Sequence, residues 1–157
     1  ERPYGIVYAV QKLLSSGLGK VDRKGITAFM CYITYYENYQ KDIFNILVKE
    51  KNVYTEKFFS TLEFYIKFSK DIDLKIIELL KDQIYIKSND CDDSMLILYL
   101  KRKNIVIKKE IVEYLFDKLK YCQNKYNDTA LHTYLKYQKD INTDIIFTFM
   151  LGLKIGF

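Results

Sequence analysis

An all-α fold, a short solenoid of about four helix pairs preceded by a partial one, is what this sequence predicts, on three observations. Four segments recur with starts 33 to 35 residues apart, and each carries two apolar clusters at helical spacing. One proline and six glycines in 157 residues leave too little punctuation for a sandwich or barrel, which turns every ten residues or so. A composition 49% apolar and 29% charged belongs to a globular chain rather than a disordered one.

The partial unit, residues 1–21, holds a mostly apolar stretch at 6–14 closed by Ser15-Ser16-Gly17, which predicts the second helix of an incomplete preceding unit, ending on a glycine in the left-handed conformation. Four full units follow at about 22–54, 55–88, 89–123 and 124–157. Their starts, Thr27, Ser60, Ser94 and Thr129, are separated by 33, 34 and 35 residues. Two positions on stand Phe29, Leu62, Leu96 and Leu131; five on stand Tyr32, Tyr65, Tyr99 and Tyr134; six on stand Ile33, Ile66, Leu100 and Leu135. Columns at +2, +5 and +6 mark one face of a helix. A second apolar cluster begins 11 or 12 residues after each tyrosine, at Ile43, Ile76, Ile111 and Ile145. Polar linkers precede these clusters, with Asp42, Asp71 or Asp73, and Asp144 placed as N-caps or first-turn acids of a second helix. A pair of this length cannot bury its apolar face alone, so neighbouring pairs must stack.

Thr129-Ala130-Leu131-His132 resembles the T-P-L-H signature of ankyrin repeats, and residues 22–28, Asp-Arg-Lys-Gly-Ile-Thr-Ala, resemble the ankyrin connection D-x-x-G-x-T-P. Asn127 occupies the glycine slot in the last unit; Phe58 and Asp92 occupy it in the middle ones, where irregular loops are expected. Tyr-Ile or Tyr-Leu at +5 and +6, where ankyrin units carry small residues, together with Thr-Ala-Leu-His-Thr-Tyr-Leu at 129–135, looks like the ankyrin proteins of poxviruses. The ankyrin resemblance covers residues 6–157. It implies a non-enzymatic interaction protein of the host cytoplasm that binds a host protein and acts in host range or innate-immune evasion. Many members of that viral family end in an F-box-like segment that recruits a ubiquitin ligase; that activity is not carried over to this chain.

Chemistry is sparse. The lone histidine, His132, is expected to tie adjacent units together by hydrogen bonds rather than to catalyse. Cys31, Cys91 and Cys122 lack disulfide-framework or zinc spacing and read as reduced thiols. Asp90, Asp92 and Asp93 lack an EF-hand pattern and read as a solvated loop. No Gly-rich phosphate loop or nucleophile elbow occurs, so no enzyme, cofactor or metal is expected. The 25 basic and 20 acidic residues, formally +5, are interleaved, so nucleic acid is not signalled. The longest apolar stretch, residues 145–153, is too short to span a bilayer, and no signal peptide is visible. The sequence does not begin with methionine, as expected of a fragment or a trimmed chain.

With +2, +5 and +6 inward, positions +4 and +8 lie together on another side of the first helix. They hold Cys31 and Tyr35, Phe64 and Phe68, Leu98 and Arg102, then Thr133 and Tyr137. Aromatics and arginine are the usual material of interface hot spots, so Tyr35, Tyr36, Phe64, Phe68, Leu98, Arg102 and Tyr137 are the expected partner-binding residues. Loops at 22–26, 90–93 and 125–128 form a second expected contact zone by family resemblance. The competing expectation is a compact helical bundle of the Bcl-2-like kind that binds an amphipathic helix in a groove. Oligomeric state is left open.

Overall fold

The four residues that begin the repeats each open a helix. The side-chain oxygens of Thr27, Ser60, Ser94 and Thr129 accept the backbone N–H three residues on, from Met30 (3.1 Å), Glu63 (3.0 Å), Ile97 (3.3 Å) and His132 (3.4 Å). Each hydroxyl thereby satisfies a donor that the first helical turn leaves without a backbone partner. The structure, a computed structural model, describes residues 20–36, 38–52, 60–87 and 92–153. The expected N-terminal partial unit, with its helix at 6–14 and Gly17, lies outside the described residues, as do Phe58, Asp90 and Cys91.

All regular structure among the described residues is helical. In chain order the helices form pairs: α1 (Ala28–Tyr35) with α2 (Lys41–Leu47), α3 (Thr61–Phe68) with α4 (Leu74–Leu79), α5 (Met95–Leu100) with α6 (Lys109–Leu119), and α7 (Ala130–Tyr137) with α8 (Thr143–Gly152). The chain after α2 and after α4 tightens into single 3₁₀ turns, Val48–Glu50 and Lys81–Gln83. The first helices pack in series, α1 on α3, α3 on α5 and α5 on α7, while α6 packs against α8. No helix among the described residues is long and apolar enough to cross a membrane.

The core follows the repeat columns. Phe29, Leu62 and Leu96 at +2, all four tyrosines at +5, and Ile33, Ile66 and Leu100 at +6 are buried. The second helices add Ile43, Ile76, Ile77, Ile111, Val112, Ile145 and Phe149 to the same cluster. Each such side chain taken from water stabilises the fold by roughly 1.5–3 kcal/mol. Leu131 is only partly buried, and Leu135, in the +6 column, is 53% exposed because no described element covers that side of α7. It is a departure from the expected core.

The repeated tyrosine has a task beyond filling space. Its hydroxyl accepts the backbone N–H of the residue that caps the second helix: Gln40 to Tyr32 (2.7 Å), Asp73 to Tyr65 (2.9 Å), Lys108 to Tyr99 (2.7 Å) and Asn142 to Tyr134 (2.8 Å). One phenol per unit thus fixes the angle at which the chain re-enters its second helix. Asp73 and Asn142 also cap with their own side chains, and Asp42 and Asp144 lie in the first turns of α2 and α8.

The connections before α1 and α7 share one geometry. Asp22 Oδ1 accepts the N–H groups of Lys24 and Ile26, and Asn124 Oδ1 accepts those of Tyr126 and Asp128. Gly25 and Asn127 then take positive φ, 75° and 64°. Asp92, in the same slot before α5, has φ 57°, so that connection keeps the left-handed residue expected of a regular turn.

Candidate recognition surface

The connections between the two helices of successive pairs lie beside one another and together form an edge: those after α1 and α3 line one groove, Lys108 before α6 bonds Ile72 O and pairs with Asp71, and those after α5 and α7 line another. Most of the expected partner residues sit on or beside this edge. Tyr35 and Tyr36, at the end of α1, are 62% and 56% exposed. Phe68, at the position on α3 equivalent to Tyr35, is 45% exposed. Tilted ring contacts hold two of these side chains in place: Tyr36 lies 5.1 Å from Tyr32, and Phe68 4.8 Å from Phe64, between centroids. Beside them a groove of about 370 Å³ runs between the α1–α2 and α3–α4 connections, lined by Thr34, Tyr35, Tyr36, Tyr39, Lys70 and Asp71 among others.

Two expected surface residues are not at the surface. Phe64 is 1% exposed and packs with Met30 and Ile26; Leu98 is 8% exposed and belongs to the main core. The reason is positional. In the middle units the +4 side chain points at the neighbouring first helix, so it is covered there, whereas Cys31 at +4 of the first full unit is exposed.

Arg102 is half-buried and serves the fold. Its guanidinium donates to the carbonyls of Ile66 and Ser69 (2.8 Å to the latter), capping the C-terminal end of α3 from the next unit. Burial holds the guanidinium below the usual arginine range, opposed by the nearby Tyr99. Gln138 repeats the device one unit later, donating to Leu100 O (2.6 Å) and Arg102 O (2.9 Å). In the first full unit the Tyr39 hydroxyl donates to Ile33 O at 2.9 Å, from within the unit. Lys108 adds a bond to Ile72 O (2.8 Å) and an ion pair with Asp71 (2.7 Å). Together Arg102 and Lys108 span the middle of the edge with structural bonds.

Tyr137 is half-buried at the far end of the edge, where the ammonium groups of Lys101, Lys103 and Lys136 lie 5.7–5.8 Å from its ring centroid. A second groove, about 690 Å³, runs beside it between the α5–α6 and α7–α8 connections. The clustering of lysines there is not visible in the sequence, because they come from two units 33 residues or more apart.

His132 does not bridge units as expected. Its Nδ1 lies 2.9 Å from Thr129 Oγ1 and 3.4 Å from Thr129 N, which closes a capping box on its own helix. Asp93 is not a solvated loop acid either. It is 3% exposed, paired with Lys101 at 2.6 Å and bonded by Asn124 at 3.1 Å. Among the described residues no cluster of three or more potential metal ligands occurs. Cys31 and Cys122 are free thiols; although Cys31 is exposed as a residue, partial desolvation of its sulfur, followed by the charge of Asp22, raises its pKa. Pattern reasoning also missed two exposed apolar side chains of α8, Phe147 (56%) and Leu151 (75%). Comparison with models of known protein families finds no match for this chain, and neither does comparison with curated proteins.

Proposed function

We propose that this chain is a non-enzymatic protein–protein interaction module, an ankyrin-like solenoid of the kind poxviruses encode, which binds a host protein in the cytoplasm and acts in host range or innate-immune evasion. The observation that carries the recognition role is the exposure of Tyr35, Tyr36 and Phe68 on one edge of a serial helix stack, beside a groove. Large exposed aromatics at equivalent positions of adjacent helices are hot-spot material, and a folded domain gains nothing by presenting them to water. The ankyrin reading rests on the repeat register, on the serial packing of first helices, and on the left-handed residue two positions before Thr27, Ser94 and Thr129. Serial packing also favours a stack over the Bcl-2-like bundle, in which helices surround a central one.

The test is capture of the cellular partner by the triple variant Tyr35→Ala, Tyr36→Ala, Phe68→Ala. Each truncation at a hot spot costs about 2 kcal/mol or more of binding, so capture is expected to vanish while the helical circular-dichroism signal persists. Capture at the wild-type level by a folded triple variant overturns the assignment of the surface.

A further inference from the structure

We infer that the groove beside Tyr137 is a docking site for an acidic polypeptide segment that carries apolar side chains next to its carboxylates. Three ammonium groups converge on one ring here, Lys101 at 5.8 Å and Lys103 and Lys136 at 5.7 Å from its centroid, and Lys139 joins the groove wall. Gathered around one ring, these like charges repel one another, with salt screening the repulsion in part. Part of this charge is already balanced: Lys101 pairs with Asp93 and Lys136 with Asp128 at 3.5 Å. Lys103 and Lys139 are exposed and make no ion pair among the described residues. Asp140 is the one carboxylate in the lining. The field of the groove is therefore positive, and a carboxylate entering it relieves repulsion as well as gaining attraction.

The apolar half of the partner follows from the same lining. Val106 is 82% exposed and Ile141 43%, each on one of the two connections that form the walls. They offer nothing to a phosphate backbone and would be covered by leucine- or phenylalanine-sized side chains. The ring of Tyr137 is occupied by lysines, so it is no free stacking platform for a base. An acidic–apolar peptide matches both the lysines and the exposed apolar side chains of the groove, against the single opposing carboxylate of Asp140; a nucleic acid matches only the lysines.

This inference rests on the reading of the connection edge as a recognition surface, and it concerns the end remote from Tyr35. It is tested by fluorescence anisotropy with a fluorescein-labelled ten-residue peptide in which glutamates flank two leucines. Saturable binding is expected, with at least about a tenfold loss when glutamine replaces glutamate and a similar loss in the double variant Lys103→Glu, Lys139→Glu. A peptide with lysine in place of glutamate should regain binding to that variant, which shows that the loss is one of charge and not of folding. Val106→Asn should weaken the leucine peptide about threefold and leave an all-glutamate peptide unchanged. Absence of binding, indifference to the lysine variants, or tighter binding of a ten-nucleotide oligothymidine than of the peptide would each overturn the proposal. Binding of the peptide by the Tyr35, Tyr36 and Phe68 triple variant separates the two sites: its survival there, with loss of the cellular partner, leaves both readings standing. Loss of peptide affinity in that triple variant, with no loss in the lysine variants, overturns the groove assignment alone.

Discussion

A phenol five residues into each repeat places a hydroxyl within 2.7–2.9 Å of a cap amide that helix geometry leaves unpaired. Replacing Tyr99 by phenylalanine keeps the ring in the core and removes only the acceptor for the Lys108 amide. A buried amide left without a partner costs about 1–3 kcal/mol, so urea unfolding of Tyr99→Phe should show that loss at unchanged slope. Tyr121→Phe, at an exposed position, should show none. Two of these tyrosines, Tyr65 and Tyr99, make the fold alkali-sensitive. Burial pushes Tyr99 up to about 12 from 10, helped by the acids Glu110 and Asp71, although the Lys108 amide pulls the other way; burial raises Tyr65 and Tyr39 as well. A raised folded-state pKa means that the neutral form is favoured in the native state. Its stabilisation is complete below pH 10 and is lost as pH climbs toward 12. A thermal melt followed from pH 8 to 11.5 should hold steady to about pH 10 and then fall, and the fall should be shallower in Tyr99→Phe. The tyrosine column was legible in the sequence as a period, but the bond made by its hydroxyl was not, since that depends on the path of a connection eight or nine residues away. His132 illustrates the converse: its motif was visible, yet its partner proved to be its own cap residue.

At the scale of helices, the units are joined by side chains that reach back one unit to cap carbonyls, Arg102 onto α3 and Gln138 onto α5. Hydrogen bonds from a charged donor contribute about 1.5–3 kcal/mol, so Arg102→Ala should destabilise by roughly that amount, and Arg102→Lys should recover only part, lacking the planar fork that serves two carbonyls. Arg102 looked like an interface residue because its offset from the helix start matches that of Tyr35 and Phe68. Its length lets it fold onto the preceding unit instead. Leu98 and Phe64 were misread for a related reason. A period within one helix says which residues share a side, and whether that side faces solvent or the next helix is decided by how closely α1, α3 and α5 stack. Leu98→Ala should therefore behave as a core truncation, costing about 2–5 kcal/mol in denaturant titration and changing partner capture only through loss of folded protein.

Over the whole molecule, the all-helical architecture was readable because three signals agreed: turn-poor composition, a 33–35 residue period, and a polar N-cap at every start. The two grooves were not, because each is walled by two connections from different parts of the chain and appears only once the first helices pack on one another. The direction of stacking also explains Leu135, buried at its three equivalents and exposed in α7, which no described element covers on that side. Both recognition readings depend on the pairs being arranged in a row, so that their connections form a continuous edge with an aromatic end and a basic end. Small-angle X-ray scattering of the protein tests that arrangement most directly. A sphere-like domain of 157 residues has a radius of gyration of about 15 Å, and a row of helix pairs should exceed it, with a distance distribution skewed to long separations. A symmetric distribution at or below about 15 Å from a monomeric sample would contradict the row, and with it the edge on which both surfaces lie.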